Sequence, residues 1–184
     1  MNREKPKFRC GTGKAMEKIA ADLNLRIESG MQDWSYEVAD EKDFEKYLIH
    51  YDKLNNDDEK FVLMEILIQS ATEQTKVSDF DNCWIELRNR IISDFEIHKY
   101  TVYYWCLFDN ENLEDCWTIT PYIRELWRKK YYSENTNIIS SSELAELITD
   151  DLLNYGLIEL KNKDEVKKIT KEKIDVRKSL GDYS

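Results

Sequence analysis

Residues 100–108 read Tyr-Thr-Val-Tyr-Tyr-Trp-Cys-Leu-Phe, and the way this run is wound decides the fold. Its β-branched and aromatic residues suit a pleated strand. Over so short a run, periodicity alone does not separate a buried strand from a buried helix. The surroundings do. With Phe95 and Ile97 in front, the apolar stretch covers residues 95–108, longer than a usual strand. No second strong strand candidate exists to pair with it. The chain has only five glycines and two prolines in 184 residues, against usual shares of about 7% and 5%. It contains no Asn-Gly or Asp-Gly pair, so tight hairpins, which need residues tolerant of positive φ, have little to turn on. Residues 100–108 therefore read as buried helix. The expected fold class is all-α, a single-domain irregular helical bundle of about six to eight helices with one short extended segment.

Outward from that run, the apolar spacing marks further helices. Phe80, Cys83, Trp84, Leu87 and Ile91 form a clean stripe over residues 79–93, opposite Glu86, Arg88, Asn89 and Arg90. Residues 58–75 include Phe-Val-Leu-Met at 61–64 and Ile-Leu-Ile at 66–68, apolar on nearly all sides, as expected of a helix at the centre of a bundle. Asn55 to Asp58 supply the break and cap before it. Asp40 is an N-cap candidate for a helix whose buried face is Phe44, Tyr47, Leu48, Tyr51 and Leu54. Met16, Ile19, Ala20 and Leu23 mark a first helix over residues 14–25, entered through Gly11 and Gly13. Between Met31 and Val38, Trp34, Tyr36 and Val38 alternate, and this is the expected extended segment.

Downstream, a short helix is expected from Asn112 to Trp117, then one opened by Thr120 as cap and Pro121 at its first position. Ser133 to Asn137 reads as a polar loop. Ser140 and Glu143 have the spacing of a capping box for a helix ended by Gly156. Two regions are expected: an acidic helical domain over 1–160, and a charged, locally basic tail or helix over 161–184. Val166, Ile169 and Ile174 are the few anchors of that tail.

Charge narrows the partners. The net charge is −10, yet residues 161–180 hold eight Lys/Arg against four Asp/Glu. The acidic excess thus lies in the first 160 residues. Such a surface repels phosphates and attracts basic partners. Four separated cysteines (Cys10, Cys83, Cys106, Cys116) without a C-x-x-C pair read as free thiols of a reducing cytoplasm. No opening segment looks like a secretion signal, and no run of 18 apolar residues suggests a membrane span.

Few constellations carry chemistry. Cys10-Gly-Thr-Gly-Lys14 has glycines but not the spacing of a phosphate loop, and Ala15 stands where a hydroxyl is needed. It reads as a helix-entry loop. His50 and His98 each lack a Glu three residues before, so the di-metal carboxylate pattern is missing. Asp94 and His98 stand four apart, but two ligands do not make a metal site. They read as a helix-end ion pair or a core histidine. Cys106, among Tyr103, Tyr104, Trp105 and Leu107, reads as a protonated core residue rather than a nucleophile. No metal or cofactor is expected.

Asp109, Glu111, Glu114 and Asp115 gather around an inter-helix loop beside Trp117. A negative patch next to an aromatic suits docking onto a Lys- and Arg-rich protein surface. These five are the candidate binding residues. The function expected from them is a non-enzymatic, cytoplasmic protein-binding protein, in its most concrete version a bacterial immunity-type protein that neutralises a basic toxin. Two alternatives stay open. Ser140-Ser-Ser-Glu-Leu-Ala-Glu-Leu-Ile148, followed by Tyr155-Gly-Leu-Ile-Glu-Leu160, resembles the tail of winged-helix DNA-binding domains, which implies a transcription regulator. Here one helix would have to serve as both helices of the motif. An enzyme whose site is assembled from distant residues is the other.

Overall fold

A helix satisfies its own backbone hydrogen bonds without a partner, and every regular element among the described residues is helical. The computed structural model describes residues 5–28, 30–110, 112–135, 142, 145–146, 148–149 and 162–179. Its α-helices are α1 (Gly13–Leu23), α2 (Trp34–Glu37), α3 (Phe44–Tyr51), α4 (Asp57–Thr72), α5 (Val77–Ser93), α6 (Phe95–Trp105), α7 (Thr120–Asn135) and α8 (Lys163–Ser179). Single turns of 3-10 helix lie at Glu41–Asp43 and Leu113–Asp115. The chain divides into two compact units, residues 1–127 and 128–184, with the division inside α7. None of the described helices is long and apolar enough to cross a membrane.

The first unit is built around α4. Phe61, Val62, Leu63, Met64, Ile66, Leu67 and Ile68 are all buried, and α1, α2, α3, α5 and α6 pack on it. Asn56 starts this helix by accepting from the backbone N–H groups of Asp58 (2.9 Å) and Glu59 (3.1 Å). Asp57, Asp58 and Glu59 then sit at the positive end of its dipole. The buried hydroxyl of Ser70 donates to the Asp40 carbonyl at 2.8 Å. Close packing also explains Gly11. A Cβ there would stand 2.7 Å from a methyl of buried Val62, so the glycine before α1 is needed for close approach. The cap of α1 is Thr12, whose hydroxyl accepts from Ala15 N–H.

Residues 100–108 are wound as helix up to Trp105. The buried positions of α6 are Phe95, His98, Thr101, Val102 and Trp105, a spacing that only a helix brings to one side. In α5 the expected stripe is present: Phe80, Leu87 and Ile91 are buried, with Cys83 and Trp84 half-buried. Arg90 forks onto Asp52 at 2.9 and 2.7 Å, tying α5 to the end of α3. Asp40 caps as expected, but onto the 3-10 turn that leads into α3.

Three local expectations are corrected. The segment from Met31 to Val38 contains a helical turn, α2, in place of extended chain. Residues 34 and 38 fall on one side under both a period of two and a period near four, so the buried pair Trp34 and Val38 fits either. Thr120 does not cap α7: its buried hydroxyl donates to the Trp105 carbonyl at 3.1 Å. Ser133 to Asn135 continue α7 rather than opening a loop, because no glycine or proline interrupts them. The capping residues Ser140 and Glu143, the helix-ending Gly156 and most of the winged-helix-like stretch lie outside the described residues.

In the second unit α8 is a formed helix. Ile174 is buried with Ala145, and Ile148 packs against them. Lys167 pairs with Glu146 at 3.1 Å. Of the other expected anchors, Val166 is half-buried and Ile169 exposed.

Position on α4 sets the cost of truncation. Leu67→Ala is expected to lose about 2–5 kcal/mol by urea denaturation, from lost transfer energy plus an unfilled cavity. Ile85→Ala, on the exposed side of α5, is expected to change stability by less than about 0.5 kcal/mol. Equal losses would contradict this packing.

Candidate functional site

The connection between α6 and α7 carries the candidate binding residues, and Arg124 holds it. Just past the end of α6 the chain turns, and its backbone carbonyls there need donors. Arg124, one turn into α7, donates Nε to the Cys106 carbonyl at 2.6 Å and Nη2 to those of Leu107 and Asn110, each at 2.7 Å. Its charge also suits the negative end of the α6 dipole. Leu107 adopts a left-handed conformation with φ 45°, which turns the chain away from the helix axis. Side-chain amides then set the loop. Asn110 accepts from Asn112 N–H and Asn112 from Glu114 N–H, each at 3.1 Å. The Asn112 side chain donates to the Asp115 carboxylate at 2.8 Å.

On this frame Asp109, Glu114 and Asp115 are exposed, while Glu111 lies outside the described residues. Asp115 is engaged by Asn112, so among the described residues Asp109 and Glu114 are the loop carboxylates without such a bond. Cys106 is fully buried, as its aromatic neighbours suggest. Cys116 is half-buried in the loop, with Arg124 Nη2 3.9 Å from its sulfur. All four cysteines are free.

Trp117 is 39% exposed and rests on an aromatic wall. Its ring lies 4.4 Å from that of Trp105, which is 1% exposed, and 6.2 Å from that of Tyr104, which is 45% exposed. Trp105 in turn meets Tyr36 of α2 edge-to-face at 5.8 Å. Beside Tyr36 stands Glu65 of α4, whose carboxylate accepts from the Ser35 hydroxyl at 3.4 Å. No protein-family model, curated protein or solved structure matches this chain.

The loop carboxylates and Trp117 were legible from residue type and spacing. Tyr36, Tyr104, Trp105 and Glu65 were not, because three separate elements bring them together. One signal pointed to Glu65: it is the single charge inside Phe-Val-Leu-Met-Glu-Ile-Leu-Ile, residues 61–68. Burial raises its carboxyl to about 7, against a weaker opposing pull from the Ser35 hydrogen bond. Burial, with Glu65 adding to it, likewise raises the Tyr36 phenol.

The histidines belong to scaffolding. His98 is fully buried, and its Nε2 lies 2.7 Å from the Tyr51 hydroxyl. That hydroxyl donates its one proton to Asp94 at 2.8 Å, so it accepts from a neutral His98 protonated at Nε2. Burial lowers the His98 pKa to about 3, consistent with this neutral form. Burial opposes ionisation of Asp94 too, but hydrogen bonds from Lys60 (2.8 Å) and Tyr51 outweigh it and hold the carboxyl below its usual range. Asp94 therefore joins α6 to α3 and α4 rather than pairing with His98 as a metal ligand. His50 lies 3.3 Å from Asp22 across α3 and α1. Among the described residues no group of three or more His, Cys, Asp or Glu could hold a metal ion.

Two measurements follow from these burials. A folded-state value for Glu65 above its ordinary 4.5 means its contribution is intact below pH 4.5 and is lost as pH rises through about 7. Glu65→Gln is thus expected to gain on the wild type across that range, reaching roughly 1–3 kcal/mol in mildly alkaline buffer. His98 has the opposite sign, losing stability as pH falls below 6.5 toward 3, but it cancels in this difference. A pH-independent difference would refute the account. Separately, among the described residues the buried Thr101 hydroxyl has no hydrogen-bond partner. Thr101→Val, which keeps the branched shape, is expected to raise stability by about 1 kcal/mol in denaturant titration.

Proposed function

We propose that the chain is a non-enzymatic protein-binding protein of the cytoplasm that captures a basic partner protein through the α6–α7 loop. An immunity-type protein masking a basic toxin is the most concrete form of this reading. One observation carries it: Trp117 and Tyr104 are exposed to solvent on a buried Trp105, with Asp109 and Glu114 exposed on the same Arg124-held loop.

The physics of capture divides between these groups. Exposed carboxylates in a chain of net charge −10 raise the rate of encounter with a cationic surface and weaken as salt rises. Aromatic anchors on a rigid support slow dissociation, since little side-chain entropy remains to be lost on binding. The hydrogen-bonded loop keeps both sets in one arrangement before contact. The free state of all four cysteines fits a reducing compartment.

An affinity-tagged chain expressed in its native host is expected to retain one dominant basic protein at low salt. Reversing two charges with Asp109→Lys and Glu114→Lys should weaken capture about tenfold or more, an effect that shrinks as salt is raised. Trp117→Ala should weaken it at every salt concentration, by about 2 kcal/mol or more. Empty pull-downs across several growth conditions would sink the reading.

A further inference from the structure

Helix α5 carries two apolar stripes. One is the buried face of Phe80, Leu87 and Ile91. The other meets water: Val77 is 76% exposed, Ile85 56% and Ile92 43%. At ~100° per residue, positions 77, 81, 85, 88 and 92 fall within an arc of about 80°. Asp81 and Arg88, both exposed, therefore stand on this outer stripe between the apolar residues. The other charges of the helix are spent within the chain: Lys76 reaches Asp79, and Arg90 reaches Glu86 and Asp52. Asp81 and Arg88 enter no ion pair among the described residues. Neither has an opposite charge three or four residues away, where a helix could pair it; their neighbours at that spacing include Val77, Trp84, Ile85 and Ile92.

The stripe reads the same in both directions. About a midpoint between Trp84 and Ile85, Val77 mirrors Ile92, Asp81 mirrors Arg88 and Trp84 mirrors Ile85. An antiparallel copy of this stripe sets apolar residues against apolar residues at both ends and in the middle, and sets Asp81 against Arg88 twice. A parallel copy would set like charge against like charge, which is costly. Local charge permits the contact. The net charge of −10 opposes self-association, but residues 76–93 hold three Lys/Arg against three Asp/Glu.

We infer that the outer stripe of α5 is a two-fold interface at which two copies of this chain pair, α5 antiparallel to α5, with Asp81 of each copy bonded to Arg88 of the other. Such a contact uses one patch on both copies and closes on itself, giving dimers rather than chains of molecules. One helix pair buries less than a standard interface of about 1,600 Å², so the expected Kd is tens to hundreds of micromolar, on the order of the weakest specific contacts. The chain is monomeric when dilute and pairs where it is concentrated. The α6–α7 loop contributes no residue to this face, so the pairing stands or falls apart from partner capture.

Sedimentation velocity on the full chain, from a few micromolar to about half a millimolar, is expected to show monomers passing reversibly into dimers. Ile85→Lys, at an exposed position, should weaken pairing about tenfold or more. Asp81→Arg and Arg88→Asp should each weaken it about tenfold when present alone. Mixed one to one, these two variants should pair with each other at about the wild-type strength, because every Asp again faces an Arg. The doubly exchanged chain, Asp81→Arg with Arg88→Asp, keeps the net charge and should recover as well. Far-UV circular dichroism should be the same for all of them. A chain that stays monomeric across the range, a dimer indifferent to Ile85→Lys, or charge variants that fail to recover on mixing and on double exchange would each overturn the interface.

Discussion

Helix α4 has almost no side that water wets, and the rest of the first unit is arranged by that fact. An amphipathic helix needs neighbours along one stripe; a helix apolar all round needs them on every side. Five helices close over α4. Some of them are short, and α2 is a single turn, yet each covers a strip that would otherwise expose Leu, Ile, Val or Phe. The short helices owe their existence to this packing, since isolated helices of that length are marginal in water.

Closing over α4 traps polar groups, and their fates differ. The Ser70 hydroxyl reaches the Asp40 carbonyl, and His98 reaches Tyr51 within a network completed by Asp94 and Lys60. These bonds fix how α3, α4 and the start of α6 meet, and their satisfaction costs the fold little. Glu65 is different. It stands beside the Tyr36 ring and accepts from the neutral Ser35 hydroxyl, and burial raises its carboxyl to about 7. A carboxyl kept in such surroundings is costly to ionise.

The α6–α7 loop shows how a surface of like charges is kept in order. Carboxylates repel one another and would favour an extended, mobile connection. Arg124 gathers three carbonyls beneath the loop, and the amides of Asn110 and Asn112 occupy the turns above. The acidic groups are then displayed on a preformed frame, with Trp117 seated on Trp105 at its edge.

Helix content and the identity of the core were written in the chain. The scarcity of glycine and proline, the all-apolar run at 61–68 and the stripe at 80–91 each depend only on local composition and on the 3.6-residue period. Asp40 and Asn56 were readable as caps because capping is decided within three residues. Where two periods coincide, as at Trp34 and Val38, local pattern was not enough. The loop carboxylates and Trp117 were visible as a candidate site because they are neighbours in sequence. Tertiary structure alone decided that Glu65 meets Ser35 and Tyr36, that Arg124 holds the end of α6, and that Trp117 stacks on Trp105. Those groups lie apart in the chain, and only the packing of separate elements brings them within reach of one another.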